Sequence, residues 1–489
     1  MGKPTLPNRK SPYTTIAEEQ EAAQKLCEEK IKAHLQNLPY LLQKLSQIPD
    51  PRDPKKVKHQ IAILMLKGTL IFLLHVPSRR QANRELTSPQ LLENLKALYP
   101  ELEDMPHQDT LNRFLKNTDV DQIEDTYISL LKKLIRKKKF RQLLHKKRYL
   151  VAIDGTQKHT FHRYTDERFL RRKTKEKDTH QYQYYSYVLE AVLILSNGMV
   201  LPLMSEFLEN SPELEAIEKE EEWKQDCELK AFYRLAKRLK NTFPRLPITM
   251  LLDGLYANGP VIWICQKYKW DFMIVLKDKS LPTVWKEVKG LLSLDTKGKQ
   301  RHKRRFKGRQ QIFRWVNQIE YEYKPSNKKT KRYLNLHVVI CEETWPGTDK
   351  EDNTVTKKSC HAWISSQKID RENIHTRCNL MARKRWLHEN NILKEKHQGY
   401  SYEHVFSTDW NAMKGYHYLM HIARLLNELA LHSIYLIEYV AELGIRGFIE
   451  RFRAYMTHRK LDQKRLRAAA LSPGQLRLEL EGRWQRVAA

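Results

Sequence analysis

The sequence predicts an α/β fold: a mixed sheet flanked by helices, with an N-terminal helical region and a β-rich insertion. Three observations predict it. Residues 15–145 have helix-forming composition with apolar residues near helical spacing. From residue 149, β-branched and aromatic runs mix with amphipathic stretches in the order strand, strand, strand, helix, strand, helix, strand. Between residues 313 and 369, three runs alternate apolar and polar residues, as half-buried antiparallel strands do.

The N-terminal helix pattern breaks at "IPDPRDP" (48–54), because proline cannot continue a helix and restrains the residue before it. "IAILMLKGTLIFLLHV" (61–76) is apolar but short and interrupted by Lys67, which fits a buried helix rather than a membrane span. "HQDTLNRFLKNTD" (107–119) reads as a short helix opened by a polar cap. The stretch from Lys132 to Arg148 is dense in Lys and Arg, and Lys137 and Lys138 are read as tracking a phosphate backbone.

"YLVAID" is then a short strand ending in Asp154, followed by glycine. "YQYYSYVLEAVLIL" (182–195) and "VLPLMSEFL" (200–208) read as strands joined by an "SNG" turn. "CELKAFYRLAKRLKNTF" (227–243) is an amphipathic helix ended before Pro244. "ITMLL" opens a further strand that ends in Asp253, again followed by glycine, and "DFMIVLK" (271–277) is the next. Residues 297–311 read as a basic polar loop, in which Arg304 and Arg305 are candidates for binding DNA. Helices resume at Asp370 and carry Glu389. Residues 417–443 form a long apolar helix or a helix pair, and the tail from 451 is basic with little core signal. The expected divisions are 1–145, a helical DNA-binding region; 146–290, the first part of a catalytic core; 291–368, the β-rich insertion; 369–450, the last part of the core; and 451–489, the tail.

Charge names the partner class. Lys plus Arg number 88 against 58 Asp plus Glu, a net charge of +30, and 41% hydrophobic residues mean that the surplus sits on a folded protein. Such a surface suits a polyanion, above all nucleic acid, through counterion release. The six cysteines form no Cys-x-x-Cys pair, which argues against a structural zinc site of the usual spacing. The start of the chain lacks the apolar segment of a secretory signal, so a soluble, cytoplasmic protein without a membrane span is expected. No Gly-rich phosphate loop of the G-x-x-x-x-G-K-[ST] type occurs, which argues against an ATP requirement.

Asp154 and Asp253 each end a buried strand, where open α/β sheets bind ligands. Glu389 is helical, and at about 100° per residue Arg385, Glu389 and Lys396 share one stripe. Three carboxylates in one crevice repel one another unless cations join them. Mg²⁺, a hard ion held by few carboxylates and by substrate phosphate, fits that need.

This layout resembles the DDE insertion-sequence transposases with an RNase H-like catalytic core. One large group of that family carries the signature Tyr-x2-Arg-x3-Glu-x6-Lys around its glutamate. Arg385, Glu389 and Lys396 match it, whereas the Tyr position is Ala382. "IPDPRDPKKVKH" and "HQDTLNRF" are similar to the amino-terminal region of another insertion-sequence transposase lineage. The resemblance implies that Asp154, Asp253 and Glu389 are catalytic and bind two Mg²⁺, with Mn²⁺ able to substitute, and that Arg385 and Lys396 hold phosphate. It implies cleavage at element ends and strand transfer by a homodimer on double-stranded DNA, at terminal inverted repeats and at target DNA, in a prokaryotic nucleoid. Two alternatives stand beside it: a nuclease on the same core, and a transposase-derived DNA-binding protein without catalysis.

Lesser candidates are weighed with these. Trp315 and Trp345 are placed for stacking a flipped base or, more simply, for core packing. His159 and His162 are DNA-facing or structural. Glu395 and Glu403 lie off the stripe of Arg385 and Lys396.

Overall fold

The computed structural model describes residues 10–176, 179–210, 226–325, 330–349 and 353–481. Seven helices come first: α1 (Ile16–Leu35), α2 (Leu38–Leu45), α3 (Ile61–Leu73), α4 (Arg79–Glu85), α5 (Pro89–Lys96), α6 (Gln108–Asn117) and α7 (Asp121–Arg136). A capping box starts α1: the Thr15 hydroxyl accepts from Glu18 N–H, and Glu18 reaches back to the Thr15 N–H. Prolines at 49, 51 and 54 keep residues 48–60 out of long helix. α3 is the buried centre of this layer, and Lys67 within it is satisfied by Asn83 Oδ1 at 3.2 Å and by the Pro106 carbonyl. No helix among the described residues is long and apolar enough to cross a membrane.

The sheet follows: β1 (Tyr149–Phe161), β2 (Leu170–Glu176), β3 (Thr179–Ile194), β4 (Val200–Leu208), α8 (Glu228–Thr242), β5 (Ile248–Leu252), α9 (Gly259–Lys267), β6 (Asp271–Val275), α10 (Pro282–Ser293), β7 (Arg301–Phe306), β8 (Arg309–Tyr323), β9 (Arg332–Thr348) and β10 (Thr354–Ser365). Its order is β2-β3-β1-β5-β6-β10-β9-β8-β7, with β4 also paired to β3. The β1–β5 and β5–β6 pairs are parallel and the others antiparallel, so the sheet is mixed. α9 is the crossover that a parallel β5–β6 pair demands.

Three readings of the sequence change here. β1 does not stop at Asp154 but runs on to Phe161, because β3 continues to pair with it after β5 has ended. Residues 297–311 are not a loop: they contain β7 and the start of β8. β2 is an added strand. Both β7 and β2 are edge strands rich in Lys and Arg, which blunts an edge but erases the apolar alternation that announces a strand. The β-rich segment also extends the main sheet, joining it through β10 and β6.

After β10, a π-helical turn (His375–Met381) and a 3-10 turn (Ala382–Arg385) lead into α11 (Trp386–His397). The expected long apolar stretch is a pair, α12 (Trp410–Leu431) and α13 (Ile437–His458). α12 is buried along nearly its whole length, between α3, α6 and α7 on one side and β4 on the other. It therefore ties the N-terminal helices to the sheet. The C-terminal residues also have a core: α14 (Gln463–Leu471) lies on α1 and buries Leu466 and Ala469.

Two histidines of the helical layer make an acid-lability prediction. His34 and His75 are buried, and burial first, then the charge of Lys30, pushes each down to about 3. Each stays neutral in the folded chain while the unfolded chain takes up a proton near pH 6.5. Stability is therefore fully present above pH 6.5 and is lost as pH falls from there toward 3, by up to about 5 kcal/mol per histidine. Urea midpoints measured across that window should fall steeply, and His75→Phe should flatten the slope.

Candidate active site

The register of the sheet brings two carboxylates to one level. The last parallel partners of β1 and β5 are Ala152 and Leu251, so Asp154 and Asp253 each lie two residues beyond the point where the strands part. That parting opens a crevice at the carboxyl end of β5, and Asp253 stands immediately outside the strand.

The two glycines after these aspartates are explained by close approach. A Cβ on Gly155 would lie 2.5 Å from the Tyr187 ring and 2.7 Å from Glu228 Oε2. A Cβ on Gly254 would lie 2.7 Å from the Lys277 side chain. Gly155→Ala must therefore displace Tyr187 and Glu228, at about 1–3 kcal/mol by the usual cost of overpacking. A chemical-denaturation midpoint measures it.

The third carboxylate comes from the helix after the sheet. Glu389 lies in the first turn of α11, where the helix dipole favours an anion. Arg385, in the turn before α11, gathers all three: its Nη1 is 2.7 Å from Glu389 Oε1 and 3.8 Å from Asp154 Oδ2, and its Nη2 is 4.0 Å from Asp253 Oδ1. The guanidinium is 9% exposed and the carboxylates 24–39%, so the cluster opens toward solvent on the acid side.

The charges are unequal in their comfort. Burial pushes the Asp154 carboxyl up to about 6; Arg385 opposes this, while Glu228 and Glu389 add to it. Asp253 is also pushed up by burial, but the Gly254 N–H, Lys277 and Arg385 outweigh it and hold its carboxyl below the usual range. Lys277 Nζ meets Asp253 Oδ2 at 3.0 Å.

Lys396 behaves differently from Arg385. It sits seven residues beyond Glu389, about 10 Å along the helix axis, and its ammonium pairs with Glu403 Oε1 at 2.8 Å. Lys137 and Lys138 are exposed at the end of α7, and Arg304 and Arg305 are exposed on β7. Trp315 is 6% exposed, a core residue, whereas Trp345 is half-buried with the Arg309 guanidinium 4.0 Å above its ring. His159 is buried between Phe161 and Phe169, and His162 is exposed. Glu395 is buried and paired with Arg424.

Sequence reasoning missed a fourth acid. Glu228, at the start of α8, accepts hydroxyl hydrogen bonds from Tyr187 at 3.0 Å and Tyr256 at 2.6 Å, beside Asp154.

Three carboxylates offer an all-oxygen, anionic donor set, which suits a hard divalent cation such as Mg²⁺. The Asp154 carboxyl is raised first by burial, with Glu228 and Glu389 adding to it against Arg385, and a cation beside it would relieve that cost. The site is thus a candidate divalent-cation centre on a mixed α/β sheet. Residues 42–131, from within α2 to within α7, match the family model described as DDE_Tnp_1-associated. The match makes the helical layer similar to a segment associated with DDE-type transposases. A comparison with curated proteins found no match.

Proposed function

We propose that the chain is the DNA transposase of an insertion sequence, cleaving at element ends and joining them to target DNA with Mg²⁺. The observation that carries this reading is the meeting of Asp154, Asp253 and Glu389 around one guanidinium at the mouth of the β1–β5 crevice. The transposase-associated match of the helical layer supports it independently. So does the strand order β4-β3-β1-β5-β6, in which β3 alone runs against the other four and the parallel β1–β5 pair sets Asp154 and Asp253 at one level.

Asp154, Asp253 and Glu389 would hold two Mg²⁺, or Mn²⁺ in their place. When bound, such a pair activates an attacking hydroxyl and stabilises the leaving oxygen of a phosphodiester. Arg385 keeps the three acids together and is the cation nearest to an incoming phosphate; its planar fork suits that anion. Lys277 holds Asp253 ionised. Lys396 would bind phosphate farther along α11 once Glu403 releases it. The exposed Lys137, Lys138, Arg304 and Arg305 supply sequence-independent attraction to the duplex, within a surplus of +30 over the whole chain. On this reading the protein acts in the cytoplasm, as a homodimer on paired DNA ends.

A strand-transfer assay tests the proposal. Labelled duplexes carrying the sequences that flank the gene are incubated with the full chain, Mg²⁺ and a supercoiled target. Joined products are expected. Cleavage without joining would make the protein a nuclease on the same core, and salt-sensitive binding without cleavage would make it a DNA-binding derivative.

A further inference from the structure

Away from the crevice, on the buried junction between β3 and α12, three metal-ligating side chains face one another. We propose that Glu190, His417 and His421 bind a zinc ion that fastens α12 to the sheet. His417 and His421 are four residues apart on α12, so both rings lie on one helix face. Their ligand atoms and a Glu190 carboxylate oxygen all lie within 4.8 Å of one another. Glu190 Oε1 is 3.5 Å from His421 Nε2 and 3.9 Å from His417 Nε2. Those gaps are long for hydrogen bonds. They are near the ligand-to-ligand edge of about 3.4 Å that a tetrahedral ion with bonds of about 2.1 Å sets.

The unmet polar atoms point the same way. Glu190 is 1% exposed, His417 0% and His421 1%, yet Glu190 Oε2, His421 Nε2 and His417 Nδ1 have no hydrogen-bond partner. No Lys or Arg among the described residues forms an ion pair with Glu190; the nearby buried cation Arg424 is taken by Glu395, and Lys158 donates to the Tyr402 carbonyl at 3.1 Å. A buried carboxylate without a cation is costly, and a divalent ion between it and two imidazoles removes that cost. The carboxylate is already oriented, since the Tyr402 hydroxyl donates to Glu190 Oε1 at 2.6 Å. Ser205 Oγ, hydrogen-bonded to His417 Nε2 at 3.0 Å, is the hydroxyl nearest at hand to complete the set once that bond is given up.

Two imidazoles and a carboxylate select a borderline ion over Mg²⁺, and a closed, buried set suits zinc in a structural role. The place gives that role a purpose. Glu190 is the cross-strand partner of Asp154, and its carbonyl accepts from His388 Nε2 at 3.1 Å, one residue before Glu389. A zinc here would fix β3 to α12 and, through the Asp154–Glu190 pairing and the His388 contact, brace β1 and α11, which carry two of the crevice acids.

The experiment uses the full chain without a histidine tag, purified, stripped with a chelator and reloaded with Zn²⁺ or Co²⁺. One zinc per chain by elemental analysis is expected, retained through dialysis against Mg²⁺. The Co²⁺ form should show the intense visible d–d bands of a tetrahedral site. Glu190→Gln and His421→Gln should lose both signals, while Asp154→Asn keeps both. Zinc retained in full by the Glu190 and His421 variants would overturn the proposal, as would a wild-type chain that takes up neither ion. Should the two variants fail to fold, the wild type decides: chelation should lower its melting temperature and Zn²⁺ restore it, and an unchanged melting curve with no Co²⁺ bands overturns the site.

Discussion

Asp253→Asn should lower Mg²⁺-dependent DNA cleavage by more than a hundredfold while leaving salt-sensitive DNA binding at the wild-type level. The expected size follows from scale: losing even an outer partner of a metal ligand typically costs about 10–100-fold, and a ligand itself costs more. Asparagine keeps the shape of the side chain, so the crevice at the end of β5 keeps its form. What it removes is the negative charge that a hard cation needs. Binding is expected to survive because the exposed Lys137, Lys138, Arg304 and Arg305 are placed outside the crevice, on the α7 end and the β7 edge. Filter binding over a salt series, where log affinity falls linearly with log salt, measures one half of the prediction. A cleavage gel with end-labelled DNA measures the other. Wild-type cutting by the variant would remove Asp253 from the metal site. Asp154→Asn and Glu389→Gln should follow the same pattern.

The elements of the core with strong local signals are readable from the chain. β1, β3, β4, β5 and β6 are apolar runs bounded by turns, and the two Asp-Gly pairs sit where such runs end. Glu389 is readable because Arg385 stands four residues before it, a spacing that puts a cation beside an acid on a helix. Other parts are invisible for physical reasons. Glu228 and Lys277 reach the crevice from α8 and from the end of β6, and no spacing in the sequence links them to Asp154 or Asp253. Glu190, His417 and His421 meet only because α12 packs on the sheet at β4, beside β3; a helix buried nearly all round gives no sign of which residues face a strand. β2 and β7 fail as strands in the sequence because charge on an exposed edge replaces alternation. Lys396 shares a helix stripe with Arg385, but a stripe says nothing about distance along the axis, and Glu403 lies closer to it.

Arg385→Met should destabilise the metal-free chain by about 2–3 kcal/mol and should increase the stabilisation that Mg²⁺ provides. In the metal-free protein one guanidinium is the shared counter-charge of three acids, at 2.7, 3.8 and 4.0 Å. Breaking a fully buried pair costs about 3–5 kcal/mol; here water reaches the carboxylates, and the expected loss is smaller. Methionine preserves the apolar stem and removes only the charge. The three carboxylates then face one another, and Asp154, already pushed up to about 6, loses the partner that opposes that shift. Mg²⁺ should restore what the guanidinium supplied, with a gain that grows as the logarithm of its concentration over its dissociation constant. In the wild type the ion must displace part of the Arg385 interaction, so the gain there is smaller. Thermal melts with and without Mg²⁺, on both proteins, separate the two roles of this arginine. If it serves packing alone, the variant loses stability but the Mg²⁺ increment stays equal. If it holds the acids ready for cations, the increment rises. Arg385→Lys, which keeps the charge but lacks the fork that touches three groups at once, should fall between the two.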